Sequence, residues 1–360
     1  MSEWRDQAKF HPKCLKARNA VDRNQPQRTA MRNEIRDPPP DPCSIIISSG
    51  RCGSTLLSTL IAEEPATLSV PESLGPVLSH LALPPPARHI TGAQYWSLLS
   101  EPHSKRASMA RVGAVLGEFD SVEVHDGGTS PIMLFTLPNI SAEPDRLFAT
   151  LAEEVPRFPS QPVGLHHRML LDMLAVRAGK RRWVERSGAS SAIADPLLRA
   201  MPDARVVYLT RSIADTARSM RRHMSFRFAL ARFEFHRRYG TDPYNPAAWF
   251  GPMPDVADLP EELRRLLPDQ ITAQGLAELS RDIRGYAAMC ASMMSLAEQA
   301  FADLDPAYLH RIRYEDLIAN PVAELTRLGE FLGFAEPARW AGATAGRVRP
   351  PTARTGSRLV

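Results

Sequence analysis

The sequence predicts an α/β fold, a three-layer sandwich around a central parallel sheet, and three observations carry that prediction. Residues 43 to 48 (CSIIIS) form a β-branched run of buried-strand length that passes into a glycine-bearing loop and then a helical stretch. Two more strand–turn–helix units follow, from Arg181 and from Ala204, and strands alternating with helices imply βαβ units with right-handed crossovers. The third observation is composition: 360 residues with 44% hydrophobic and 23% charged side chains suit a large globular core and exclude a disordered or fibrous chain.

Along the chain, residues 1 to 42 hold nine Lys or Arg, six Asp or Glu and six Pro, and are expected to form a mobile N-terminal extension. The main domain is expected over 43–335. Its strands are CSIIIS, RRWVER, ARVVYLT and YLHRIR, and its helices follow the loop at 49–55, the turn SGASS and Thr210. Residues 80–165 and 240–275 are proline-rich and weakly patterned, which marks them as insertions over the sheet's edge or mouth. Trp96, Tyr244, Trp249 and Phe250 in these insertions either line an apolar pocket or pack the segments onto the domain. Residues 336–360 read as an Arg/Pro-rich tail, whose Arg347, Arg349, Arg354 and Arg358 either fold over a ligand or fray.

The 44 basic and 40 acidic residues nearly cancel, leaving a net charge of +4, so a general nucleic-acid binder is not expected and any anion site must be local. Only five of the basic residues are lysines, so arginine carries almost all of the positive charge. Cys14, Cys43, Cys52 and Cys290 have no C-x-x-C spacing and no neighbouring histidine cluster, which predicts reduced thiols and no metal site. No run of 18 apolar residues occurs and the N-terminus is charged, so a cytoplasmic protein without a stable membrane anchor is expected.

Chemistry concentrates at two places. In Ser49-Gly50-Arg51-Cys52-Gly53-Ser54-Thr55, between strand and helix, glycines allow a tight turn whose N–H groups converge with the helix N-terminus, and the hydroxyls add donors. This P-loop-like strand–loop–helix suits an anion. It lacks the Walker lysine, since no lysine lies between Lys16 and Lys105, so Arg51 must supply the charge. Taken alone, the loop reads equally well as an ordinary strand-to-helix turn. The second place is Arg211, at a strand end, with Ser219 eight residues on and about 80° away on a helical wheel, a pair able to hold another phosphate. A local pairing of Arg211 with Asp215 is the competing reading.

In combination these motifs resemble the sulfotransferase superfamily, which takes a sulfuryl group from 3′-phosphoadenosine 5′-phosphosulfate (PAPS). Gly50 to Leu57 is similar to the family's 5′-phosphosulfate loop, and Arg211 with Ser219 to its 3′-phosphate site, the spacing of eight included. Arg313-Tyr314-Glu315-Asp316-Leu317 and Trp183-Val184-Glu185-Arg186 resemble two further family segments. The chain departs from the family at Cys52, where serine is usual, and at Arg186-Ser187-Gly188, where relatives carry Lys-x-Pro or Lys-Asp-Pro. Cys52 beside Arg51 is either a redox-sensitive thiol or an isosteric replacement of serine.

The resemblance implies PAPS as co-substrate, no metal, and sulfuryl transfer to a hydroxyl, or less readily an amine, of a small molecule, lipid or glycan. Gly50, Arg51, Cys52, Gly53, Ser54, Thr55, Arg211 and Ser219 would bind the nucleotide, with Arg51 and Arg186 facing the transferring group. Glu72, 21 residues after Arg51, is the expected base, by similarity to tyrosylprotein sulfotransferases and related members. His125, His166 and His167 are the competing bases. The alternatives are a non-catalytic nucleotide-binding protein or a P-loop kinase-like enzyme on the same scaffold.

Overall fold

The computed structural model describes residues 41–77, 81, 89–101, 130–244, 252–279 and 282–349. Most of the expected extension, His125, Trp249, Phe250, Arg354 and Arg358 lie outside these residues.

Five parallel strands form the central sheet: β1 (Ser44–Ser48), β2 (Thr67–Pro71), β5 (Arg182–Arg186), β6 (Arg205–Thr210) and β7 (Leu309–Arg313). Their order is β2-β5-β1-β6-β7. The other two strands, β3 (His89–Ile90) and β4 (Gln161–Pro162), pair antiparallel as a short separate ribbon. β1 is central because both of its faces are apolar: Ile45, Ile46 and Ile47 are completely buried. Ile45 and Ile47 join a cluster with the helices Val163–Arg177, Ala194–Ala200 and Ile283–Phe301. Ile46 joins the opposite cluster, with α1 (Ser54–Ile61) and the helices Pro321–Leu332 and Pro337–Thr344. Alternate residues of one strand thus serve two helical layers, which makes the fold a three-layer sandwich.

From β1 the chain crosses to β2 on one side, and it later adds β6 and β7 on the other. Strand order therefore reverses around β1, and the carboxyl ends of β1, β5 and β6 open at the place where such sheets bind ligands. Among the described residues, no helix is long and apolar enough to cross a membrane.

Two expected boundaries are corrected. Asp41, assigned by sequence to a mobile extension, accepts hydrogen bonds from Arg181 at 2.9 and 3.0 Å and from Arg182 at 2.6 Å, and the Arg181 bonds hold its carboxyl below the usual range. Residues 336–349, assigned to a tail, instead pack on the domain. Pro337–Thr344 is helical, Trp340 meets Phe334 edge-on at 4.8 Å, and its indole N–H donates to the Leu60 carbonyl at 3.0 Å. Burial of the indole together with a satisfied N–H fixes this helix against α1. The sequence YEDL, directly after β7, starts the helix Tyr314–Ala319.

In the first insertion, Tyr95, Leu99, Ile132, Leu137, Leu151 and Val155 share a buried cluster with Leu68 and Val70 of β2, so this segment covers that edge of the sheet. In the second, Tyr244 is buried edge-on against Phe228 at 4.4 Å, and its hydroxyl donates to the Leu266 carbonyl. Trp96 packs on Phe148 at 5.1 Å. Both aromatics are packing residues.

Candidate active site

The site forms where β1, β2, β5, β6 and β7 end. After β1, the backbone turns through Gly50 (φ 78°), Arg51 (φ 57°) and Gly53 (φ 99°) before α1 begins. Glycine is required at the first and last of these. A β-carbon at Gly50 would collide with the Phe226 ring, and one at Gly53 with the Tyr314 ring, in addition to the positive φ. No side chain caps α1, so its first-turn N–H groups face the loop's concavity. Ser54 is buried at the start of α1, and Thr55 is exposed.

Arg51 Nε donates to Ser219 Oγ at 3.4 Å, which joins the loop to the helix Ile213–Arg222. The Arg211 guanidinium lies over the Tyr314 ring, 4.7 Å from its centroid, and the same ring closes against Gly53. The two anion motifs found in the sequence are therefore neighbours in space, bridged by one hydrogen bond and one shared aromatic. Asp215 pairs with Arg218 at 2.6 Å, so the local Arg211–Asp215 pairing is not what forms. Ser212 caps the helix through the Asp215 N–H, and its own N–H donates to Glu315 Oε1 at 2.7 Å.

β2 and β5 bring the other charged pair together by register. Pro71 aligns with Arg186, so the next residue, Glu72, emerges beside the end of β5. Glu72 adopts φ 54°, and its N–H donates to the Arg186 carbonyl at 2.7 Å. Its carboxylate accepts from Arg186 Nη1 and from the Gly188 N–H at 3.0 and 3.2 Å. These donors fix the carboxylate at the end of β5. The Arg186 side chain is 6% exposed, and its buried Nε makes no hydrogen bond. A buried guanidinium N–H without an acceptor is costly, and it suits an oxygen of a bound ligand.

Arg51, Glu72 and Ala189 are the non-glycine residues with left-handed φ among the described residues, and all three stand immediately after strands of this rim or in the turn that follows. Such conformations cost about 1–3 kcal/mol each and persist where surrounding contacts overdetermine them.

A family model described as the sulfotransferase family matches residues 262–337, the segment that contains β7, Tyr314 and the helix Pro321–Leu332. Over that segment the chain is similar to the sulfotransferase family. Among solved structures it is similar to the sulfotransferase domain from the curacin biosynthetic pathway, at 17% identity over 81% of this chain and 74% of that one, with a TM-score of 0.43. It is also similar to the sulfotransferase domain of the Synechococcus olefin synthase, at 19% identity over 88% and 82%, with a TM-score of 0.42. A Mycobacterium avium sulfotransferase aligns at 12% identity over 86% and 68%, with a TM-score of 0.40. No curated protein matches the chain.

Other expected features lie around this rim or away from it. Cys52 is completely buried, its thiol lies 3.6 Å from the Leu209 carbonyl, and burial pushes its pKa up. A thiol without solvent access and with little thiolate is not redox-poised, which leaves the isosteric role. His166 and His167 lie inside the helix Val163–Arg177 and are completely buried, and burial lowers both pKa values, that of His167 to about 3. Arg347 pairs with Glu63, beyond the C-terminal end of α1 and so at the end remote from the anion loop. Among the described residues, no group of His, Cys, Asp or Glu is arranged to hold a metal ion.

Sequence reasoning passed over Gly188, Phe226 and Tyr314 as site residues, along with Ser190, whose hydroxyl accepts from the Ser48 N–H at 3.1 Å and donates to the Ile46 carbonyl at 3.2 Å. The signal for Gly188 was available, as a glycine directly after a strand-end arginine. The ring contacts of Phe226 and Tyr314 depend on tertiary packing and had no local signature.

Proposed function

We propose that this chain transfers a sulfuryl group from PAPS to a hydroxyl acceptor, or less readily an amine, producing a sulfate ester and 3′,5′-adenosine bisphosphate. The observation that carries this reading is the Arg51–Ser219 bond. It joins the loop and the Arg211–Ser219 motif in one continuous rim, with the Glu72–Arg186 pair nearby, which supports a ligand carrying two phosphate groups.

In this reading the loop N–H groups, the uncapped start of α1, Ser54 and Thr55 take the 5′-phosphosulfate, and Arg51 neutralises the phosphate as it leaves. Arg211 and Ser219 take the 3′-phosphate. Arg186 offers its unpaired Nε–H to the sulfuryl oxygens. Glu72, held by Arg186 and the Gly188 N–H, accepts the acceptor's proton as the new S–O bond forms and the sulfur–phosphate oxygen bond breaks. The acceptor is read as a small molecule, lipid or glycan, approached from the segments near 80–165 and 240–275. The free, buried thiols of Cys43, Cys52 and Cys290 support a reducing, cytoplasmic setting for this function.

Calorimetric titration with 3′,5′-adenosine bisphosphate, beside ADP, tests the reading. Hydrogen bonds to a charged group contribute about 1.5–3 kcal/mol, so Arg211→Ala is expected to weaken the bisphosphate by about tenfold or more and leave ADP unaffected. Equal affinity for the two nucleotides in the native protein would return the chain to a kinase-like or non-catalytic nucleotide binder.

A further inference from the structure

Behind Glu72, a line of buried polar side chains crosses from the insertion to the end of β5. Tyr95 Oη lies 2.9 Å from His167 Nδ1, and His167 Nε2 lies 3.1 Å from Ser73 Oγ. Ser73 Oγ lies 3.0 Å from Glu185 Oε1, and Ser187 Oγ lies 2.5 Å from the same oxygen. All five residues are buried, with Tyr95, His167 and Glu185 at 0% exposure. The reaction proposed above uses none of them.

Donor and acceptor arithmetic gives the line a direction. Glu185 Oε1 accepts both serine hydroxyls. Ser73, having donated its proton, accepts from His167, so Nε2 carries the imidazole hydrogen and Nδ1 accepts from the Tyr95 hydroxyl. One tautomer satisfies every donor, and the line ends on Glu185.

Glu185 also sits where the strained turn is fastened. Residues 72, 73 and 74 are tied in succession to the end of β5: Glu72 N–H to the Arg186 carbonyl, Ser73 Oγ to Glu185, and Leu74 N–H to Ser187 Oγ at 3.1 Å. Because Glu185 holds both Ser73 and Ser187, two of the three ties depend on it.

We propose that Glu185 is a positioning residue for Glu72, fastening the turn that aims the base and, through its own proton, setting the charge that the base meets. The groups facing Glu185 are Ser73 and Glu72 from the β2 side, Arg186 and Ser187 from its own strand, and, through Ser73, His167 and Tyr95 from the two helices packed behind. Burial pushes the Glu185 carboxyl up to about 7, with Glu72 adding to the rise and the Ser187 and Ser73 hydroxyls and Arg186 opposing it. Burial lowers His167 to about 3, so it stays neutral across the same range. Near neutrality, then, Glu185 is the member of the line whose charge changes. Its ionisation places a second negative charge near Glu72 and makes Glu72 a stronger base.

This inference rests on Glu72 as the base, and its test needs no acceptor. In the full chain with ¹³C-labelled glutamate carboxyls, Glu185 is expected to titrate near 7, and the Glu72 resonance to show a second inflection at that same pH. Glu185→Gln should abolish that inflection. Ser187→Ala, which deletes a donor to the anion, should move the shared midpoint up by about one unit. An inflection at Glu72 that survives Glu185→Gln, or is missing from the native protein, overturns the proposal. If Glu185→Gln does not fold, an unmoved midpoint in Ser187→Ala overturns it equally. Bisphosphate calorimetry on the native protein separates the two readings, since its failure removes the donor site while leaving the carboxyl titrations as measured.

Discussion

Arg51 Nε donates to Ser219 Oγ at 3.4 Å although 168 residues separate them, and through that bond the β1 loop and the helix after β6 act as one rim. Removing either side should therefore disturb the other. In a double-mutant cycle on bisphosphate affinity, Arg51→Ala and Ser219→Ala are each expected to cost about 1.5–3 kcal/mol. The double variant should lose less than their sum by about 0.5–3 kcal/mol. Strict additivity in calorimetry would show that the two motifs bind independently.

Gly53→Ala should damage both stability and binding. Its φ of 99° strains any other residue, and the new methyl group meets the Tyr314 ring on which Arg211 rests. A loss of about 1–3 kcal/mol in denaturant unfolding is expected, together with weaker bisphosphate binding. Gly342→Ala is the control. That helical glycine has open space around it, and alanine there should be neutral or stabilise by about 0.5–1 kcal/mol.

Cys52 should behave as a packed small residue. Alkylation by iodoacetamide at pH 8, followed by peptide mass mapping, is expected to leave Cys52 unmodified in the native protein and to label it after unfolding. Rapid labelling of the native thiol would contradict its burial and its raised pKa.

Trp340→Ala should cost about 3–5 kcal/mol, as expected for removing a large buried aromatic. It empties the space between Phe334 and α1 and leaves the Leu60 carbonyl without its indole donor. A loss below about 1 kcal/mol in urea unfolding would return residues 337–349 to the status of a tail.

The pH dependence of stability carries a sign that can be checked. Glu185 is raised from 4.5 to about 7, so its contribution is full below pH 4.5 and is lost as pH rises to about 7. His167 is lowered from 6.5 to about 3, so its contribution is full above pH 6.5 and is lost as pH falls to about 3. Between about pH 4.5 and 6.5 the two slopes cancel. Glu185→Gln unmasks the histidine. As pH falls from about 7 to 4.5, the native protein should gain on the variant by about 1.4 kcal/mol per unit, to a total on the order of 3 kcal/mol. A constant difference across that range would mean that Glu185 is ionised throughout.

Much of the fold was legible because its signals are local. CSIIIS and ARVVYLT are rich in β-branched residues, RRWVER is a short run before the turn SGASS, and each became a sheet strand with both faces buried. The tight turn after β1 was legible for the same reason, since Gly50 and Gly53 sit where positive φ is needed. The pairing of Glu72 with Arg186 depends on the β2–β5 register across 114 residues, which no local pattern specifies. Glu185 left a trace that went unused. A carboxylate between Val184 and Arg186, in a strand buried along its whole length, contradicts the burial pattern, and such contradictions collect at functional sites. The packed C-terminal helix was obscured by the arginines and prolines around it, although Trp340 marked it.

The left-handed backbone at Arg51, Glu72 and Ala189 also bears on how the protein would respond to selection. Glycine or asparagine would relax each of these positions, so variants chosen only for heat resistance should accumulate such replacements there. Those lineages would lose an anion-loop arginine and the carboxylate at the rim while gaining melting temperature. Directed evolution on this scaffold would therefore need a catalytic screen in every round, because its simplest thermostabilising steps run through the residues assigned to the chemistry.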